Sequence, residues 1–246
     1  MTRRPANTCC SGKLKLSKGL KRRTPMKCGL RLSPNESSIA VISDDGDFVY
    51  NSSFICADTY SSLLVQLGNM LKFCMDRYNI QLPVGISVQG NETPSTGMIT
   101  SIHHPLIAQR MLRRDLQAAL NHPFLVASDG QCMAVAARTR LQLDNKLTIF
   151  ALSLDQFVCG GIIVADKLLS GPHGLAGDWG HLCLPSPVDF EMDGRTCKCG
   201  RTGCLEHFVS REGLGHDYEL LTGNKLTAEE IMKQAETGDI VAESVM

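Results

Sequence analysis

Cys197, Cys199 and Cys204 fall within eight residues, in Cys197-Lys198-Cys199-Gly200-Arg201-Thr202-Gly203-Cys204. Three thiols at this spacing, held by two glycines, can converge on one soft cation, and His181, sixteen residues before Cys197, can supply a fourth ligand. Three sulfurs and one imidazole make the closed tetrahedron of a structural zinc site, which leaves no open position for catalysis. The glycines permit backbone turns that a Cβ would obstruct. The competing reading of the segment is an ordinary cysteine-rich loop. Cys28, Cys56, Cys74, Cys132 and Cys159 are scattered singly through apolar runs. There, free cysteine behaves as a small buried hydrophobe. That usage implies a reducing compartment, and the expected location is the cytoplasm.

These residues need a scaffold. Cys28–Leu32 and Ile39–Ser43 read as strands around the turn Ser33-Pro34-Asn35-Glu36, and Phe48–Ile55 follows the Asp-Gly hairpin signal at Asp45-Gly46. Asp58 is placed to cap a helix through Tyr78, with Leu63, Leu64, Leu67, Met70, Leu71, Cys74 and Met75 at helical spacing. Val84–Val88 reads as a buried strand, Gln109–Leu120 as a helix, Phe124–Ala127 as a strand and Gln131–Arg140 as a helix. Two strands follow, Leu147–Leu154 and Val158–Ala165, then a Gly- and Pro-containing stretch from Leu169 to Thr196. Helices over Ser210–Leu221 and Thr227–Glu236 close the chain, the second opened by the Thr227/Glu230 capping pattern. The order predicts an α/β protein with mixed sheets in two lobes, 28–120 and 121–246. The second lobe is expected to be incomplete, because the last helix reaches Met246 with no strand after it.

The chain has 246 residues, 43% of them hydrophobic, which excludes disorder throughout and a collagen-like repeat. No apolar run approaches the roughly 20 residues of a spanning helix, so no membrane partner is expected. The formal net charge of zero hides an asymmetry. Residues 1–27 carry nine basic side chains and no acidic one, while the remainder carries 16 basic and 25 acidic, a formal −9. A disordered basic arm before an acidic body is the expectation, and the arm is the one route by which this chain would meet DNA phosphates.

Gly174-Leu175-Ala176-Gly177-Asp178-Trp179-Gly180-His181, followed by the cysteine cluster, Leu205-Glu206 and Ser210, resembles the signature of the ROK family. That family comprises sugar repressors and sugar kinases on the actin-like, hexokinase-type (ribonuclease H-like) fold. The resemblance implies that His181 both ligates zinc and touches the sugar ring. It also implies that Asp178 and Glu206 accept hydrogen bonds from sugar hydroxyls. Asp178 stands where the family usually has Glu. Ser128-Asp129 resembles the kinases' Asn-Asp pair, which would make Asp129 the general base toward the sugar 6-hydroxyl and put Ser128 at a sugar-ligand position; Asp129 capping its helix is the other reading. His103 falls where family members contact sugar through Asn, and so lines the cleft or lies on a surface loop.

The resemblance fails where phosphates should lie. The kinases' first turn, Asp-x-Gly-Gly-Thr, corresponds here to Arg31-Leu32-Ser33-Pro34-Asn35-Glu36, with Arg31 for the metal-facing Asp and Pro34 lacking an N–H. Their second turn, Gly-Thr-Gly, corresponds to Asp155-Gln156-Phe157, leaving Gly160 and Gly161 as the remnant expected to meet a nucleotide. ATP with magnesium is therefore a doubtful cofactor. The reading is a sugar-sensing, regulator-type ROK protein. The alternatives are an ATP-dependent kinase acting on a hexose, fructose or N-acetylhexosamine, and an inactive, shortened gene product. Expected partners are a small sugar or amino sugar and, as a homodimer, a second copy of the chain.

Overall fold

The computed structural model describes residues 26–191 and 194–246, so the expected basic arm lies, except for its last two residues, outside the described residues. β1 (Lys27–Leu32), β2 (Ser37–Ile42) and β3 (Phe48–Phe54) form an antiparallel meander. The Ser37 hydroxyl bonds both the N–H and the carbonyl of Ser33, closing the first turn as the sequence predicts. Then α1 (Tyr60–Tyr78) crosses the sheet and returns the chain as β4 (Val84–Val88), parallel to β1. The α1 stripe is the expected one: Leu63, Leu67, Leu71 and Cys74 are buried against the sheet. Each fully buried leucine contributes about 1.5–3 kcal/mol as an upper estimate. The cap differs by one residue, because Thr59, in extended conformation, accepts the Ser62 N–H in place of the expected Asp58.

A short hairpin, β5 (Asn91–Glu92) with β6 (Ile99–Thr100), leads to α2 (Leu112–Leu120) and β7 (Phe124–Ser128). β7 pairs parallel to β4, giving the strand order β3-β2-β1-β4-β7. The first sheet thus continues past the boundary expected at residue 120, since a strand lying parallel to β4 belongs to β4's sheet. The core beneath it runs from Cys28 to Phe124.

After β7 the chain enters α3 (Asp129–Arg140), which packs on a second, antiparallel sheet of β8 (Ile149–Leu154), β9 (Val158–Val164) and β10 (Lys167–Leu169). The helix seats backbone to backbone: a Cβ on Gly130 would stand 2.3 Å from the Gly160 carbonyl oxygen, and one on Gly161 would stand 2.6 Å from that of Gly130. On β8, Phe150, Leu152 and Leu154 are exposed. A single turn of 3-10 helix at Asp189–Glu191 lies in the irregular stretch. α4 (Glu206–Val209), α5 (Arg211–Thr222), α6 (Ala228–Glu236) and α7 (Ile240–Val245) complete the chain. The Thr227/Glu230 capping box is present. The turn at Gly238, φ +90°, and the Asp239 cap divide α7 from α6, a break the sequence reading passes over. Among the described residues no helix is long and apolar enough to cross a membrane.

Candidate functional site

The four expected ligands converge. One ligand atom from each of His181, Cys197, Cys199 and Cys204 lies within 4.8 Å of all the others. His181 Nδ1 is 3.5 Å from Cys197 Sγ, and Cys199 Sγ is 3.6 Å from Cys204 Sγ. Zinc–sulfur bonds of about 2.3 Å in a tetrahedron place sulfurs about 3.8 Å apart, close to this spacing and far beyond the roughly 2.05 Å of a disulfide. The knuckle is a tight turn in which the Gly200 N–H meets the Cys197 carbonyl at 2.9 Å and the Cys197 N–H meets the Arg201 carbonyl at 2.7 Å. Gly200 and Gly203 have φ of +87° and +67°, the left-handed region that glycine enters without strain. Burial, and then bonding to the two neighbouring sulfurs, pushes the Cys204 thiol up to about 12. Thiols crowded this way ionise together only against a cation, so the donor set fits zinc.

The knuckle also places Glu206. The Leu205 N–H bonds the Leu182 carbonyl and the Glu206 N–H bonds the Gly180 carbonyl, so the chain leaving Cys204 is zipped to the chain around His181. Glu206 is buried, its Oε2 accepts the Val158 N–H at 3.2 Å, and burial pushes its carboxyl above the usual range. Its Oε1 lies 3.5 Å from His103 Nε2. His103, with Glu206 and His181, forms a second close group. His103 therefore lines the cleft, and the surface-loop reading falls away. Burial, with the charges of His181 and Lys198, holds its imidazole down at about 4, so it is neutral at physiological pH.

A cavity of about 490 Å³ brings Arg31, His103, Ser128, Asp129, Asp178, His181 and Glu206 to one wall system. Asp178 accepts a hydrogen bond from Asn91 Nδ2 at 3.0 Å. The cap of α3 is Ser128, in a reciprocal capping box with Gln131, so Asp129 is not the cap. As the first residue of the helix, Asp129 turns its carboxylate across the cleft: Oδ2 accepts from Arg31 Nε at 3.3 Å and Nη2 at 3.1 Å, and Oδ1 accepts from Ser87 Oγ. Gln89 and His103 line the cavity, and each keeps one buried atom, Gln89 Oε1 and His103 Nδ1, without a hydrogen-bond partner among the described residues.

The β8–β9 hairpin tip, which touches His103 and Glu206, also lines the cavity. Asp155 is ion-paired with Arg211, which also reaches Glu229. The Phe157 ring lies 4.0 Å, centroid to centroid, from that of His103. Gly160 lines the cavity, but the missing Cβ atoms of Gly160 and Gly161 are accounted for by close backbone contact with Gly177, Ala151, Gly130 and Gln131. Sequence reasoning missed Ser87, Gln89 and Asn91. Only their position at the carboxyl end of a parallel strand, where clefts of α/β sheets form, would have marked them.

A sequence model of the ROK family matches residues 28–246. An N-acetyl-D-glucosamine kinase from Pectobacterium atrosepticum is 27% identical over 186 residues, covering 74% of this chain and 61% of the kinase. The chain thus spans about 61% of the length of such curated relatives. The ROK hexokinase of Thermus thermophilus superposes with a TM-score of 0.70 at 20% identity, over 89% of this chain and 72% of that one. A ROK family transcriptional regulator, a homologue of the E. coli MLC protein, gives 0.71 at 22% identity, over 89% and 58%. These likenesses show the fold: the two-lobed, actin-like α/β architecture, with the first sheet mixed as expected and the second, three-stranded sheet antiparallel rather than mixed.

Proposed function

The chain belongs to the ROK family, and we propose that within it the protein binds a hexose or N-acetylhexosamine and serves as a sugar-responsive regulator that does not phosphorylate its ligand. Zinc held by His181, Cys197, Cys199 and Cys204 would be structural: it supplies no chemistry to the sugar and fixes the backbone that carries Glu206. Glu206, Asp178 and His181 would receive the ring hydroxyls. The carboxylates of Glu206 and Asp178 on the cavity wall, both hydrogen-bond acceptors, favour a ligand rich in hydroxyl groups.

One observation carries the choice of binding over transfer. The hairpin tip, where a nucleotide's phosphates would need bare backbone N–H groups, offers instead the Asp155 carboxylate and the Phe157 ring. The first is repulsive to phosphate and the second obstructive, so ATP use is disfavoured. Kinase activity is the second reading. Its support is Asp129, which opens α3 at the cavity wall, together with the N-acetyl-D-glucosamine kinases among the curated relatives. Contact with DNA through the basic arm and a homodimeric state belong to the regulator reading as proposals. A hexose and N-acetylhexosamine panel decides between the two. A sugar-dependent rise in melting temperature without ADP release supports the sensor, stoichiometric ADP release supports the kinase, and the absence of both overturns the sugar-binding reading.

A further inference from the structure

We propose that Arg31 is a positioning residue that keeps the Asp129 carboxylate occupied, so that the cleft binds its sugar without needing the hydroxyl that faces Asp129. The inference rests on the sugar-binding reading above, with the 6-hydroxyl set toward Asp129 as the resemblance implies, and adds a specificity to it: tolerance of 6-deoxy sugars.

The strand register builds the arrangement. Arg31 on β1 lies beside Ser87 on β4, and Ser128, which ends β7, lies beside Val88. Three adjacent parallel strands thus deliver Arg31, Ser87 and Asp129 to the same carboxyl edge, and all three line the cavity. An ionised carboxylate offers about four lone-pair positions. Arg31 Nε and Nη2 both donate to Oδ2, and the Ser87 hydroxyl donates to Oδ1, so the protein's own donors fill three of them. Two come from a guanidinium and are charge-assisted, the kind a neutral sugar hydroxyl does not displace.

The pair contributes little to the fold. The Arg31 side chain is 53% exposed, and it leaves β1 on the face opposite Leu30 and Leu32, which are in the core. An ion pair with one partner more than half exposed, against 20% for the Asp129 side chain, adds little stability. Its effect here falls on the ligand. An open carboxylate penalises an analogue that lacks the matching hydroxyl, because a buried acceptor is then left unpaired. A carboxylate already occupied by Arg31 and Ser87 carries no such penalty.

The test compares each sugar that raises the melting temperature with its 6-deoxy analogue, by calorimetric titration, on the wild type, Arg31→Ala, Arg31→Lys and Arg31→Ala/Asp129→Asn. The expected wild-type preference for the parent sugar is less than about threefold, rising to about tenfold or more in Arg31→Ala as the acceptor is uncovered. Arg31→Lys, which keeps a donor, should return part of the tolerance. The double variant should lose the preference, because no carboxylate remains to be exposed. Should Arg31→Ala not fold, Ser87→Ala moves the ratio in the same direction through Oδ1. A wild type that already discriminates tenfold, or a ratio unmoved by Arg31→Ala, overturns the proposal while leaving sugar binding intact. A wild type that binds no sugar overturns the sugar-binding reading, and this inference with it.

Discussion

Two groups of cleft residues differ in what their side chains have left to give. In one, Glu206 Oε1 faces the cavity beside His103, and buried atoms of His103 and Gln89 have no partner among the described residues. In the other, the side chains are already engaged: Asp155 by Arg211, Phe157 by the His103 ring, Asp129 by Arg31 and Ser87. Holding a polyhydroxylated ring requires anchored acceptors with spare capacity. Moving a phosphoryl group requires empty backbone cradles and a free base. On the function proposed above, the first set of requirements is met without the second, and recognition and transfer are separable within one fold.

Four experiments break or sharpen that contrast. The largest effect is expected from Cys204→Ser, which removes a buried thiol of the proposed zinc site, two residues before Glu206. Bound zinc should fall from one equivalent to none by elemental analysis, and sugar affinity should drop by about 100-fold or more. A zinc-free variant with unchanged affinity would show that the knuckle does not set the acceptors. Glu206→Gln comes next. It keeps the shape but loses the charge, so affinity should fall about 10- to 100-fold in titration calorimetry, with zinc retained.

The third experiment is pH. His103 stays neutral in the fold down to about 4, against an ordinary value of 6.5. The unfolded chain takes up the proton at the higher value, so the stability from this group is present above about 6.5 and is lost as the pH falls through the window to 4. Denaturant unfolding at about pH 7 and pH 5 should differ by on the order of 2 kcal/mol, and His103→Asn should flatten the dependence. Glu206, which faces His103 and whose carboxyl is raised by burial, acts in the opposite sense as pH rises. The smallest effect is expected in the engaged group: Asp155→Ala breaks a pair whose partners are both more than half exposed, and should shift unfolding by about 0–1 kcal/mol, with no ADP release.

Local pattern was legible in the sequence. The stripe of Leu63, Leu67 and Leu71 gave α1, the Thr227/Glu230 pair gave the start of α6, and three cysteines with one histidine gave a cluster that the fold assembles. Two residues hid what they do locally. Ser128 rather than Asp129 caps α3, and Thr59 rather than Asp58 caps α1, because neighbouring cap formers compete and backbone geometry chooses between them. Short elements such as β5, β6 and α4 lack the length to show a period. The pairing of Arg31 with Asp129 spans 98 positions and exists only because β1, β4 and β7 lie side by side. Spacing along the chain carries no trace of it.

Gly130 meets Gly160 and Gly161 with no side chain between them. Interdigitated side chains let two elements creep past each other by exchanging rotamers; bare backbone offers nothing to exchange. Helix α3 is thereby seated on the second sheet as one piece, while the Ser128/Gln131 capping box and the Arg31 and Ser87 contacts of Asp129 tie its tip to the first. A single methyl group introduced at Gly161, 2.6 Å from the Gly130 carbonyl oxygen and 2.9 Å from the Ala134 Cβ, would act as a shim under the helix, tilting the carboxylate at its tip away from the strand edge.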